Sequence, residues 1–143
     1  MQVTIKLNKQ AIKKIENAVH ESAVETMESL NKDLNDSQTV PFDTGNMQNN
    51  ETFVCDESDD DNKRIYVKLE NSADQSRYLY YGKLMVDAET GRAWARKDTE
   101  KILTEKKLTF QKGRTDHWLE PYISGSKKNF IKDEFEKNLK GKI

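Results

Sequence analysis

Apolar and polar residues alternate from Gln2 to Leu7, with Val3, Ile5 and Leu7 on one face and Gln2, Thr4 and Lys6 on the other. A period of two predicts a short, half-buried edge strand. Asn8 follows at a position suited to a helix N-cap. Ile12, Ile15, Val19, Ala23, Met27, Leu30 and Leu34 then recur at steps of three and four, predicting a helix over residues 9–36. Such a helix would be roughly 42 Å long. A compact domain of this size has a radius of gyration of about 14 to 15 Å, so one end must overhang the core or bend around it.

Pro41 stops helical continuation, and residues Pro41, Phe42, Asp43, Thr44, Gly45 and Asn46 read as an ordered turn. Glu51–Asp56 and Lys63–Asn71 are strand-like and predict a hairpin. Its tip, from Asp56 to Asn62, holds five acids that repel one another, which predicts a mobile tip. Tyr78, Tyr80 and Tyr81 form an aromatic cluster, and Gly82 is placed to end a short helix or turn. Lys83–Val86 and Ala93–Ala95 predict short strands around the turn-rich segment Asp87–Gly91. Asp98–Lys107 predicts a short helix and Leu108–Phe110 a strand. Pro121 interrupts an aromatic stretch from His117 to Ile123, and Phe130, Ile131, Phe135 and Leu139 mark the stripe of a closing helix over residues 125–140. The fold class is therefore α+β: a long N-terminal helix packed on a small antiparallel sheet with a C-terminal helix. No linker divides the chain, so residues 1–143 are expected to form one domain.

Composition adjusts this picture. With 34% apolar and 34% charged residues in 143, solvated surface is large relative to core. A formal net charge of -1 argues against a globally basic nucleic-acid coat, so any field must come from local segregation. Lys9, Lys13 and Lys14 lie at the positive end of the long helix and Asp33 and Asp36 at its negative end, each placement forgoing about 0.3 to 1 kcal/mol. A helix charged in this way can meet a neighbouring copy head to tail. Between residues 92 and 114, Arg92, Arg96, Lys97, Lys101, Lys106, Lys107, Lys112 and Arg114 stand against three acids. These bases can meet DNA phosphates without reading sequence.

The candidates for chemistry are few. Asp56, Ser58 and Asp60 have the opening spacing of a calcium loop, but Asp61 occupies the glycine place and Val67 the place of the bidentate glutamate. Cys55 is the sole cysteine, which excludes an intrachain disulfide, and its separation from His20 and His117 gives no nucleophile–base spacing. No phosphate loop, dinucleotide fingerprint or zinc-protease motif is present. The expectation is a protein without catalytic residues, cofactor or metal. No apolar run approaches the roughly 18 residues that span a bilayer, and the opening residues lack an apolar signal core, so no membrane association or export is expected.

Three stretches, in order, resemble the minor capsid proteins of tailed bacteriophages and prophages, related to head-tail joining or tail-completion proteins. Pro41–Gln48 is similar to that family's Pro-x-Asp-Thr-Gly-Asn-Leu-x turn, with Met47 in the leucine place. Ser76–Gly82 is similar to its tyrosine-rich segment, and His117–Lys128 to its Trp-Phe-Glu-Pro-Tyr stretch before the closing helix. Asp-Thr-Gly alone would also suit an aspartic protease, but no second such motif supplies the partner aspartate. The resemblance implies a non-enzymatic virion component at the neck, made in the host cytoplasm. It would form a homo-oligomeric ring around the DNA channel and contact head-closure, tail-terminator or tail-tube proteins. Lys13, Lys14, Asp33, Asp36, Tyr78, Tyr80, Tyr81 and Tyr122 are the interface candidates. Arg92, Arg96, Lys97, Lys106, Lys107, Lys112 and Arg114 are the DNA-channel candidates. The stretch from Lys83 to Lys112 is longer than in many relatives, so an extra hairpin or helix is expected there. The alternative is a non-specific DNA-binding accessory protein of a mobile element.

Overall fold

The computed structural model describes residues 1–41, 51–93 and 98–143. Helix α1 runs over Lys9–Ser37. It begins where Asn8 predicts, the Ala11 N–H donating to Asn8 Oδ1 at 3.1 Å. It ends at Gln38, which takes a left-handed conformation and donates its N–H to Asn35 O.

The face that α1 buries is rotated from the expected stripe. Ala18, Ser22, Thr26, Leu30 and Leu34 are buried at steps of four, Val19, Ala23 and Met27 flank them half-buried, and Ile12 and Ile15 are exposed. Two polar residues therefore occupy the centre of the packed face. Each hydroxyl is satisfied inside the helix: Ser22 Oγ donates to Ala18 O and Thr26 Oγ1 to Ser22 O, both at 2.6 Å. Their small side chains then allow close approach of the C-terminal helix, whose Asn138 Nδ2 donates to Thr26 Oγ1 at 3.3 Å. The first turns of α1 overhang the core, as its length requires.

Strands β1 (Thr52–Asp56) and β2 (Val67–Asn71) pair antiparallel, with Thr52 opposite Asn71 and Asp56 opposite Val67. This hairpin packs on α1, and Asn31 Nδ2 donates to Thr52 O across the contact. Helix α2 (Ser76–Tyr81) stops at Gly82. Strands β3 (Lys83–Asp87) and β4 (Lys101–Lys107) form a second antiparallel pair with an irregularity between Lys83 and Met85. The short helix α3 (Glu120–Ile123) carries Pro121 in its first turn, where no amide donor is needed, and α4 (Phe130–Lys140) closes the chain.

The α+β layout matches the expectation, with four local corrections. Gln2–Leu7 forms no strand, because among the described residues no sheet edge lies against it. There are two two-stranded sheets among the described residues, of which β1–β2 packs on α1. Lys101–Lys107, expected as helix, is strand β4: Ile102 and Thr104 suit a pleated surface, and pairing with β3 outweighs the helical preference of the Lys and Glu around them. Leu108–Phe110 is irregular. The hairpin expected in the longer 83–112 stretch is β3–β4, while most of the strand expected at Ala93–Ala95 lies outside the described residues.

The core lies where the C-terminal half of α1 meets the chain around α3. Leu30, Leu34, Val40, Ala73, Trp118 and Tyr122 are buried together, with Met27, Leu69, Leu79, Tyr80, Leu119 and Phe130 against them. Gly82 joins this body to β3 at φ +65°, and an added Cβ would press on the Asp116 side chain. Gly82→Ala should therefore cost more than the roughly 1 to 2 kcal/mol of a left-handed non-glycine residue. Urea unfolding of the variant would read this as a lower midpoint with an unchanged slope.

Candidate assembly surfaces

Three surfaces follow from this fold. The first combines the overhanging start of α1 with the β1–β2 tip. His20 Nε2 and Asp56 Oδ2 lie 2.6 Å apart, and Lys63 Nζ reaches Glu16 Oε1 at 3.0 Å, so the tip is tied to the helix. The tip is also tied to itself. Asp59 and Arg64 exchange backbone hydrogen bonds, Asp56 Oδ1 accepts from the Ser58 N–H, and Asp59 Oδ1 accepts from the Asp61 and Asn62 N–H groups. The acids expected to repel one another into mobility are thus organised as acceptors for their own backbone. Hydrogen bonds from Ser58, and then from His20, hold the Asp56 carboxyl below its ordinary range. Asn62 does the same for Asp59. Between tip and helix lies a cleft of about 500 Å³ lined by Lys9, Ile12, Lys13, Asp59, Asp60 and Ile65 among others. Lys14 is exposed on the same overhang.

The other end of α1 differs from expectation. Asp36 is exposed, but Asp33 is half-buried and turned inward: Tyr122 Oη and Lys127 Nζ each donate to its Oδ2 at 2.5 Å. Burial pushes the Asp33 carboxyl up, and hydrogen bonds from Lys127 and Tyr122, helped by the Lys127 charge, outweigh it and leave the group below its ordinary value. Burial, then the bond to Asp33, pushes the Tyr122 phenol upward. Asp33 and Tyr122 therefore hold α1 to the segment between α3 and α4.

The second surface is aromatic. Tyr80 packs edge-on against Trp118 at 4.9 Å between centroids and against Tyr81 at 5.7 Å, and the His117 N–H donates to Tyr80 O at 2.8 Å. Trp118 and Tyr122 are core, Tyr80 half-buried, and Tyr81 exposed beside His117. Tyr78 is half-buried with the Lys101 ammonium over its ring at 5.8 Å. Arg114 Nη1 donates to Val40 O at 2.9 Å, and the Thr115 N–H donates to Thr39 O at 2.9 Å. Thus the segment leading into Pro41, the tyrosine-rich stretch and the His117–Tyr122 stretch converge around Trp118. Pro41 is half-buried, while Asp43, Thr44, Gly45 and Asn46 lie outside the described residues.

The third surface is the β3–β4 arm. Lys106, Lys107 and Lys112 are exposed and make no ion pair among the described residues, whereas Lys83 pairs with Glu105 at 3.2 Å. Arg92 is exposed, Arg114 is engaged with the body, and Arg96 and Lys97 lie outside the described residues. Pattern reading missed the buried Asp87 at the base of this arm, whose Oδ1 accepts from the Glu89 and Thr90 N–H groups and so closes the turn. Its signal was the Asp-x-x-x-Gly order of a capped turn.

The remaining candidates do not converge on a reactive centre. Cys55 lies with Glu57 and Glu70, but the Lys68 ammonium already bridges these carboxylates at 2.7 and 3.1 Å, in the place that a cation would take. His20 faces Asp56, and His117 sits among Tyr80, Tyr81 and Asp116. No described helix is long and apolar enough to cross a membrane. No family model, curated protein or solved structure matches the chain.

Proposed function

We propose that this chain is a structural protein of a tailed phage or prophage that forms a ring in the head-tail connector, joining capsid to tail around the DNA passage. The observation that carries the proposal is the ordered set of segments at Pro41–Gln48, Ser76–Gly82 and His117–Lys128. The Ser76–Gly82 and His117–Lys128 segments also meet around Trp118, with Val40, which precedes Pro41, packed beside them. The surface supports the same reading. Ring contacts of the standard size bury about 800 Å² on each partner. Exposed Val3, Ile5, Leu7, Ile12, Ile15, Phe53, Ile65, Ile102 and Leu103 supply the apolar part of such contacts.

In this role the protein works by shape and charge. The α1 overhang and hairpin tip face neighbouring copies or the adjacent connector layer, and the β3–β4 arm carries the basic residues that would meet passing DNA. Labelling the protein in purified phage particles tests the assignment. Signal at the head-tail junction is expected, and mature particles that lack the chain would overturn it.

The exposed Lys106, Lys107 and Lys112 favour the second reading, a non-specific DNA-binding accessory protein. The two separate by salt dependence. A neck protein should hold duplex DNA weakly as an isolated subunit, its three exposed lysines giving a loss of roughly 40-fold between 50 and 200 mM salt. Lys106→Gln with Lys107→Gln should lower the slope of log affinity against log salt by about 1.8 if both meet phosphates. Fluorescence anisotropy would measure it; firm binding by the monomer at physiological salt would favour the accessory reading.

A further inference from the structure

We propose that residues 2–7 of one copy add as a third strand to the β2 edge of the next copy, and that this exchange is the repeating contact of the assembly. The segment has the alternation of a strand, yet Val3, Ile5 and Leu7 stand 74%, 82% and 74% exposed. Pairing with a sheet edge would bury this apolar face and give its backbone groups partners at once. The chain also presents such edges, since a two-stranded sheet is marginal alone and leaves a row of backbone groups open on each side.

Hydrogen bonding and charge choose among these edges. The Glu57 N–H donates to Tyr66 O and the Ser72 N–H to Glu51 O. Continuing that alternation along the register aims the N–H and C=O groups of Val67 and Leu69 away from β1. No other described residue bonds to them. On the opposite edge, Thr52 O already accepts from Asn31. The first 15 residues hold Lys6, Lys9, Lys13 and Lys14 and no acid, while the 51–72 hairpin has four more acids than bases. The β3–β4 arm is the poorer acceptor, because Lys83, Lys101, Lys106 and Lys107 would repel the incoming lysines. In the added strand, Val3, Ile5 and Leu7 would extend the face on which Leu69 already packs, and Lys6 would lie on the Glu70 side. Each copy then gives one strand and receives one, a heterologous contact that closes into a ring.

This contact rests on the ring proposal, and the test separates the two. Thr4→Cys and Lys68→Cys, each with Cys55→Ser, place thiols on the expected adjoining strands without touching the core. A short bis-maleimide tolerates a shift of register. Mixing the two variants should give a two-chain product, whereas each alone should give less than a tenth as much. The full-length Ile5→Asp variant should need at least tenfold more protein to assemble in sedimentation velocity, with unchanged circular dichroism. A product within one chain in the Thr4→Cys, Lys68→Cys double variant at high dilution would show docking on its own edge and overturn the exchange. Absent cross-links in a wild-type-like oligomer would also overturn it while leaving the ring proposal standing. A wild-type chain that stays monomeric with its connector partners present would remove both.

Discussion

Trp118→Ala is expected to cost about 3 to 5 kcal/mol of unfolding free energy. The indole is buried with Leu30, Leu34, Val40, Ala73 and Tyr122, and Tyr80 stands edge-on to it. Its removal would open a cavity where the end of α1, the chain before Pro41 and the start of α3 meet. Small domains have only about 5 to 15 kcal/mol in total, and few large side chains share the load here. The core is too small to redistribute the deficit. Trp118→Phe keeps most of the ring volume and should lose less than half as much. Equilibrium urea unfolding would order the series wild type, Phe, Ala by midpoint; an alanine variant within 1 kcal/mol of wild type would show that the core is centred elsewhere.

The second large effect is expected at Asp33. Its carboxylate accepts from both Tyr122 Oη and Lys127 Nζ. Asp33→Ala would leave the buried phenol without this partner, and the expected cost is about 1 to 3 kcal/mol. Tyr122→Phe and the double variant complete a cycle. Because the two groups touch, their effects should fall short of additivity by at least about 0.5 kcal/mol. The pH dependence has a definite sign. The folded-state pKa of Asp33 lies below its ordinary 3.8, so its contribution is complete above that value and is lost as pH falls through the folded pKa. Wild type should therefore lose stability below about pH 4 more steeply than Asp33→Ala. Equal acid slopes would mean that the Lys127 and Tyr122 bonds do not favour the ionised form.

Periodicity and caps made much of this architecture legible in the sequence. Asn8 starts α1, Gly82 ends α2, the Glu51–Asp56 and Lys63–Asn71 patterns pair as a hairpin, and Phe130 falls in the closing helix. What escaped depends on partners that are distant along the chain. Ser22 and Thr26 carry no apolar signal, yet they become the packed face because their hydroxyls turn back onto their own helix. Asp33 reads as a surface charge placed against the helix dipole until Tyr122 and Lys127, remote in sequence, close on it. Lys101–Lys107 has the composition of a helix and becomes a strand only because Lys83–Asp87 lies alongside. Gln2–Leu7 is the reverse case, a strand pattern that pairs with no strand among the described residues. Of the interface candidates, Tyr122 lies in the chain's own core, Tyr78 and Tyr80 are half-buried and Tyr81 is exposed, a division that the local pattern of aromatics does not carry. The inward turn of Arg114 toward Val40 O was not legible at all.

The β3–β4 arm stands apart from the hydrophobic centre, its described contacts running chiefly through α2 and the Gly82 junction. Its ladder can therefore break and re-form by local fluctuation while the rest of the molecule stays intact. Changes around Trp118 are expected to act on global unfolding and changes along Lys101–Lys107 on local opening of the arm, which amide hydrogen exchange would separate. A chain built this way can yield at a limb without unfolding its body.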